Sequence, residues 1–243
     1  MTFISLPDLI SSIGIVTLGA VLQGTVGFGS ALIAAPFLVL IEPRLIPGPL
    51  ILAGFFLSSL MSYRDWRSID FQNLKWALFG RIPSTALTAI LLVFLPKTAT
   101  ESIIGLVVLL AVALSFSGLK IRLRPITLFS AGVASGFMGT MASIGGPPIA
   151  ILMQYVQPTR FRGTLGAYFG MGSLMSIIAL TLVGRFRLFE LFAGLSLFPG
   201  ILLGFFISNR LTHLLHREQL RPIVLTVSAL AALAVILRAL LFH

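Results

Sequence analysis

GAVLQGTVGFGSALIAAP, residues 19–36, and GFMGTMASIGGPP, residues 136–148, decide how this chain is read. Each lies in the middle of an apolar stretch of 33 residues, 9–41 and 125–157. As one straight helix such a stretch would reach roughly 50 Å, whereas about 20 residues cross a ~30 Å hydrocarbon layer. Glycine weakens a helix interior and proline removes a backbone donor. Each stretch is therefore expected to form two shorter helices about an unwound centre. Irregular backbone at membrane depth persists only where protein or a wet cavity satisfies its polar groups. The two interruptions are thus the first places to expect a binding site.

The composition around them supports the same setting. Of 243 residues, 57% are apolar and 10% charged, and the mean hydropathy is +1.06. A soluble domain carries about 25% charged residues, so these side chains cannot furnish a water-facing surface. The chain is read as an all-α polytopic membrane protein with no soluble domain. Further apolar segments span 46–63, 74–95, 101–119, 163–183, 190–208 and 222–242, separated by short polar loops. The start, MTFISLPD, lacks the basic region of a secretory signal and is treated as mature chain. Absence of cysteine excludes disulfides, iron–sulfur clusters and thiolate zinc sites.

The two interrupted stretches also open an internal repeat. Gly24 and Gly139 are 115 positions apart, as are Pro43 and Pro158; Ser59–Ser62 recurs at Ser173–Ser176 with an offset of 114, and Pro83 pairs with Pro199 at 116. The reading is two repeated halves, residues 1–119 and 125–243, joined by the basic loop 120–124. Each half holds one long broken or re-entrant segment plus three transmembrane helices.

The formal charge of +10 would suggest nucleic acid in a soluble protein. Here it reads as topology, because basic residues collect in cytoplasmic loops. If all eight segments cross, the basic residues divide nine to seven. If the long segments enter and return, eleven fall on one side (Arg64, Arg67, Lys75, Lys120, Arg122, Arg124, Arg160, Arg162, Arg210, Arg217, Arg221) and five on the other (Arg44, Lys97, Arg185, Arg187, Arg238). The second split favours hairpins, outside termini and inverted repeats, a plan used by secondary transporters.

GAVLQGTVGFGSALIAAPFLVL, GFMGTMASIGGPPIAILMQ and LSLFPGILLGFFISNRL, with the Gly145–Pro148 run as the most specific element, resemble the TauE/SafE sulfite exporter family, also called the toluene sulfonate uptake permease family. The resemblance implies a multi-pass carrier of the cell inner membrane, moving small sulfur-containing anions such as sulfite, sulfonates or sulfoacetate, or small carboxylates. It implies no enzymatic activity and no cofactor. The partners are then a small anion and the bilayer, with homo-oligomerisation left open.

The residues themselves nominate the site. A half-helix N-terminus carries free N–H groups and about half a positive charge, which suits an oxyanion. Around the first break stand Gln23, Gly24, Thr25, Gly27, Phe28, Gly29 and Ser30, with Phe28 as a candidate gate. Around the second stand Thr140, Ser143, Gly145, Gly146 and Pro147. Arg81 is the one strong charge well inside a span, able either to snorkel to the interface or to reach a central cavity. The seven carboxylates all fall in loops or at span ends, so no acid-based proton or cation site is visible. His213 and His216 have a metal-compatible spacing but no partner set, and no metal site is expected. Gly166 with Gly170 and Gly200 with Gly204 read as helix-packing pairs, and Trp66 and Trp76 as interface anchors. A passive anion channel is the alternative; a membrane-embedded enzyme and a nonconducting assembly subunit stand behind it.

Overall fold

The computed structural model describes residues 4–212 together with 226, 228–231, 233 and 234. The described residues are helical, without a strand. The His213–His216 pair and Arg238 lie outside them.

The first long segment breaks where the glycines predict. Helix α1 (Leu6–Val26), capped by the Ser5 hydroxyl, ends at Gly27, and α2 (Ser30–Ile41) starts after Gly29. Gly27 and Gly29 have φ of 103° and 111°, a region that costs an L side chain about 1–2 kcal/mol. These two left-handed residues reverse the chain. The α2 helix then runs back along α1, close enough that a Cβ at Gly19 would lie 2.7 Å from the Ser30 carbonyl oxygen.

Next come α3 (Gly48–Arg64), α4 (Phe71–Phe94) and α5 (Lys97–Phe116). The second long segment repeats the reversal: α6 (Pro125–Ala142) stops at Ser143, itself left-handed at φ 64°, and the short α7 (Gly146–Leu152) doubles back. The Ser135 hydroxyl on α6 donates to the Gly145 carbonyl and fixes this turn. Both long segments are thus two helices with a chain reversal between them. Last come α8 (Pro158–Leu182), α9 (Leu188–Ser196) and α10 (Phe198–Leu211). The 190–208 segment, read above as one helix, is interrupted at Leu197, because Pro199 cannot donate back into the ladder. Residues 160–162, read above as loop, belong to the first turn of α8.

Four of the described helical stretches are long and apolar enough to cross a membrane: Leu6–Val26, Phe71–Phe94, Pro158–Leu182 and Leu188–Leu211. On α4 the buried face carries Ala77, Arg81, Ser84, Thr85 and Thr88, whereas Phe79, Ile82, Leu87 and Ile90 are exposed. Polar residues turn in and apolar ones out, the arrangement of a helix solvated by lipid.

Lipid offers no hydrophobic drive between helices, so contact depends on close packing of small residues. Helices α4 and α6 run in the same direction with their backbones almost touching: a Cβ at Gly132 would sit 2.1 Å from the Ala77 carbonyl oxygen. In the same way α10 lies along α1, where Gly200 and Gly204 face the carbonyls of Ile13 and Thr17. Helix α8 runs antiparallel to α3, Gly163 meeting Asp65, Gly166 meeting Ser62 and Gly170 meeting Ser58. The glycine pairs expected to pack helices do so. Trp66 and Trp76 are exposed beside Arg67 and Lys75, as interface residues should be.

Candidate functional site

Both chain reversals converge on one internal cavity of about 50 Å³. From the first come Gln23, Gly29 and Ser30; from the second, Ser143, Gly145, Gly146 and Pro147. Helix α4 contributes Arg81, and the antiparallel α3 and α8 contribute Ser58 and Ser173. The volume holds one or two waters at about 30 Å³ each.

Arg81 dominates the site. It is 3% exposed, ten residues into α4, and turns inward instead of snorkelling. Its Nη1 donates to Ser135 Oγ at the long distance of 3.5 Å, its guanidinium lies 5.2 Å from the Tyr168 ring centre, and its Nε is buried without a partner. Among the described residues it makes no ion pair. The head group fits only because four facing residues have no side chain. A Cβ at Gly172 would come 2.3 Å from Arg81 Cζ, at Gly139 2.9 Å from Nη2, at Gly145 3.2 Å from Nη1, and at Gly136 3.2 Å from Cγ. Chain segments from three helices leave a glycine-lined slot for one cation.

Gln23 organises the first reversal. Its Oε1 accepts from the Ser30 hydroxyl and, at 3.3 Å, from the Ser30 N–H, while its Nε2 donates to Ser58 Oγ at 3.3 Å. Gly29 gives α2 no side-chain cap, so the positive end of that helix faces the cavity. The second reversal offers fewer donors than the sequence suggests, since Pro147 and Pro148 have no N–H. Ser143 Oγ donates to the Pro47 carbonyl at 3.1 Å, tying the second break to the start of α3.

Five nominated residues lie away from the cavity, their groups engaged elsewhere. Thr25 Oγ1 donates back to the Val21 and Leu22 carbonyls, both at 2.9 Å. Thr140 hydrogen-bonds Ser176 at 2.9 Å. Gly24 packs on Ser208 and its carbonyl accepts from Arg64 at 3.0 Å; Gly27 packs on the Phe161 ring. Phe28 is buried, edge-on to Phe161 with ring centres 6.3 Å apart and against Gly146. Ser58, Gly139 and Ser173 were not nominated. Ser58 directly precedes and Ser173 opens the tetrapeptides that recur at Ser59–Ser62 and Ser173–Ser176, so the recurring motif carried a signal for both.

The surroundings of the cavity differ at its two ends. Past Pro47 lies an open vestibule of about 840 Å³, lined among others by Glu42, Arg44, Arg185, Arg187 and Glu190. At the other end, Phe28 and Phe161 pack beneath a charged cluster. There Arg64 reaches Asn209 at 2.6 Å and Asp65 at 3.1 Å, and Arg162 stands 3.6 Å from the same Asp65.

No curated protein and no solved structure matches this chain. A family model does: residues 12–235 match the one described as Sulfite exporter TauE/SafE. With nearly the whole length covered, the chain belongs to the TauE/SafE family of membrane transporters, which implies transport of sulfur anions.

Proposed function

We propose that this chain is an inner-membrane carrier for one small anion, a sulfur oxyanion, short sulfonate or short carboxylate, bound at Arg81 and moved by alternating access. The observation that carries the reading is a buried, unpaired guanidinium at membrane depth, held in a glycine slot where two helix reversals meet. A charge so placed costs several kcal/mol unless a counter-ion and hydrogen bonds offset it. An oxyanion supplies both, accepting from the guanidinium and from the hydroxyls of Ser58 and Ser173. Gly29, Gly145 and Gly146 keep the backbone close to it.

The halves act as inverted repeats in this reading. Supporting it, α1 lies on α10 as α6 lies on α4, and α3 crosses α8 near Ser58 and Ser173. The vestibule forms the outer approach, since its end carries Arg44, Arg185 and Arg187 against the larger basic set at the opposite end. Phe28, Phe161 and the Arg64–Asp65–Arg162 cluster form the inner gate, shut in this conformation. Reversible opening of one end and then the other is what distinguishes this from a channel.

Purified protein in proteoliposomes, offered sulfite, thiosulfate, methanesulfonate and acetate, tests the reading. At least one should move saturably and raise the melting temperature, and Arg81→Gln should abolish both effects. Movement that does not saturate would favour a channel, and no movement or stabilisation by any of them would refute the reading.

A further inference from the structure

Assuming the transport reading above, we infer that the protein is an anion exchanger: its site returns across the membrane only with a second anion aboard.

The inference comes from what Arg81 lacks. An alternating-access carrier must pass through a state closed at both ends. If the space at Arg81 in that state is that of the present cavity, about 50 Å³, it has room for one or two waters at about 30 Å³ each. A guanidinium does not release its proton at any physiological pH. It must therefore cross this state charged, with Nε unpartnered and Nη1 on one long bond to Ser135. Among the described residues no carboxylate pairs with Arg81 to replace the anion. Asp65 is held by Arg64 and Arg162 beyond the Phe28–Phe161 layer. In the vestibule, Glu42 is bound by Arg44 and Glu190 accepts from the Arg187 N–H. Asp70 is committed to Asn73 and Arg160.

Loaded and empty sites thus face different barriers. With a monovalent anion bound, the closed site is a neutral, hydrogen-bonded pair. Without one the cation keeps only Ser135, the Tyr168 ring face and one or two waters, and the cost of that uncompensated charge falls on the empty return alone. Turnover is then fast when each direction carries an anion and slow when one direction is empty. The counter-substrate is simply a second small anion that fits the same slot.

The experiment compares two sets of proteoliposomes in uptake of whichever labelled probe, sulfite, methanesulfonate or acetate, gives the most. One set is preloaded with the same unlabelled probe and the other with gluconate. Preloaded vesicles should take up label at least about tenfold faster, a difference of about 1.4 kcal/mol in barrier. Equal rates would refute exchange and leave the transport reading intact. No uptake in either set, together with no stabilisation of the purified protein, would remove the reading on which it rests. Arg81→Lys supplies the second arm, because a buried ammonium can shed its proton. In that variant uptake into gluconate vesicles should rise relative to exchange as pH increases from about 6 to 9. An Arg81→Lys variant that binds the probe yet keeps the wild-type ratio at every pH would overturn the charge argument.

Discussion

Gly172→Ala is the sharpest probe of how Arg81 is held. The added methyl would stand 2.3 Å from both Cζ and Nε and 2.6 Å from Nη1, about 1 Å inside the ~3.5 Å of an ordinary contact. The head group would be pushed toward the cavity, past Gly139 and Gly145. It has to move by about 1 Å or more, enough to spoil a bidentate contact, and charge-assisted hydrogen bonds contribute about 1.5–3 kcal/mol. A loss of roughly ten- to a hundredfold in anion affinity follows, with about 1–3 kcal/mol of overpacking shared by the fold. Gly170→Ala, two residues earlier on α8, is the control, because its nearest neighbour would be Ser58 at an ordinary 3.8 Å. The assay is anion-dependent thermal stabilisation, with the melting temperature of the unliganded variants alongside. Wild-type affinity in Gly172→Ala, or an equal loss in Gly170→Ala, would refute the slot.

Other expectations are independent of that one. Gly204→Leu should lower the melting temperature in detergent, overpacking the α1–α10 seam by about 1–3 kcal/mol or more, because even a Cβ there would be 2.5 Å from Ala20 Cβ and 2.6 Å from the Thr17 carbonyl. Asp65→Asn removes the anion that holds Arg64 and Arg162 together. In a Phe28→Cys background, otherwise free of cysteine, labelling from the Arg64 side should speed up; unchanged labelling would deny these residues a gating role. Asp70, whose carboxyl burial pushes up, is held below its ordinary value by hydrogen bonds from Asn73 and by Arg160. Its contribution is therefore complete above about pH 4, near the unfolded value, and lost as pH falls through the folded one. Asp70→Ala should lower stability by about 1 kcal/mol at neutral pH, as for a lost helix cap, and by less in acid.

The chain reversals were legible because composition alone exposes them: glycine and proline in overlong apolar stretches leave few conformations at Gly27–Gly29 and Ser143–Gly145. Side-chain direction was harder. Thr25 and Thr140 sit beside the breaks in sequence, but one hydroxyl bonds its own helix and the other bonds α8. In a chain apolar on every face, periodicity does not say which side is inside. The exception was available on α4, where Arg81, Ser84, Thr85 and Thr88 follow a helical period and mark the inward face. Likewise Pro83 stays within α4 while Pro199 begins α10. The two look equivalent in sequence, and lipid-embedded helices tolerate a missing donor where neighbours take up the freed carbonyl.

The unequal volumes at the two sides of Pro47 have a pharmacological consequence. The cavity at Arg81 measures about 50 Å³, yet the approach to it accommodates about 840 Å³. An anion with a bulky aromatic or alkyl tail can present its charged end toward Arg81 and leave the tail in the vestibule, where it wedges the outer end open. Under the proposed cycle, size would sort ligands into two classes: compact anions would be carried, and long-tailed anions of the same head group would arrest the cycle as one-sided competitive inhibitors.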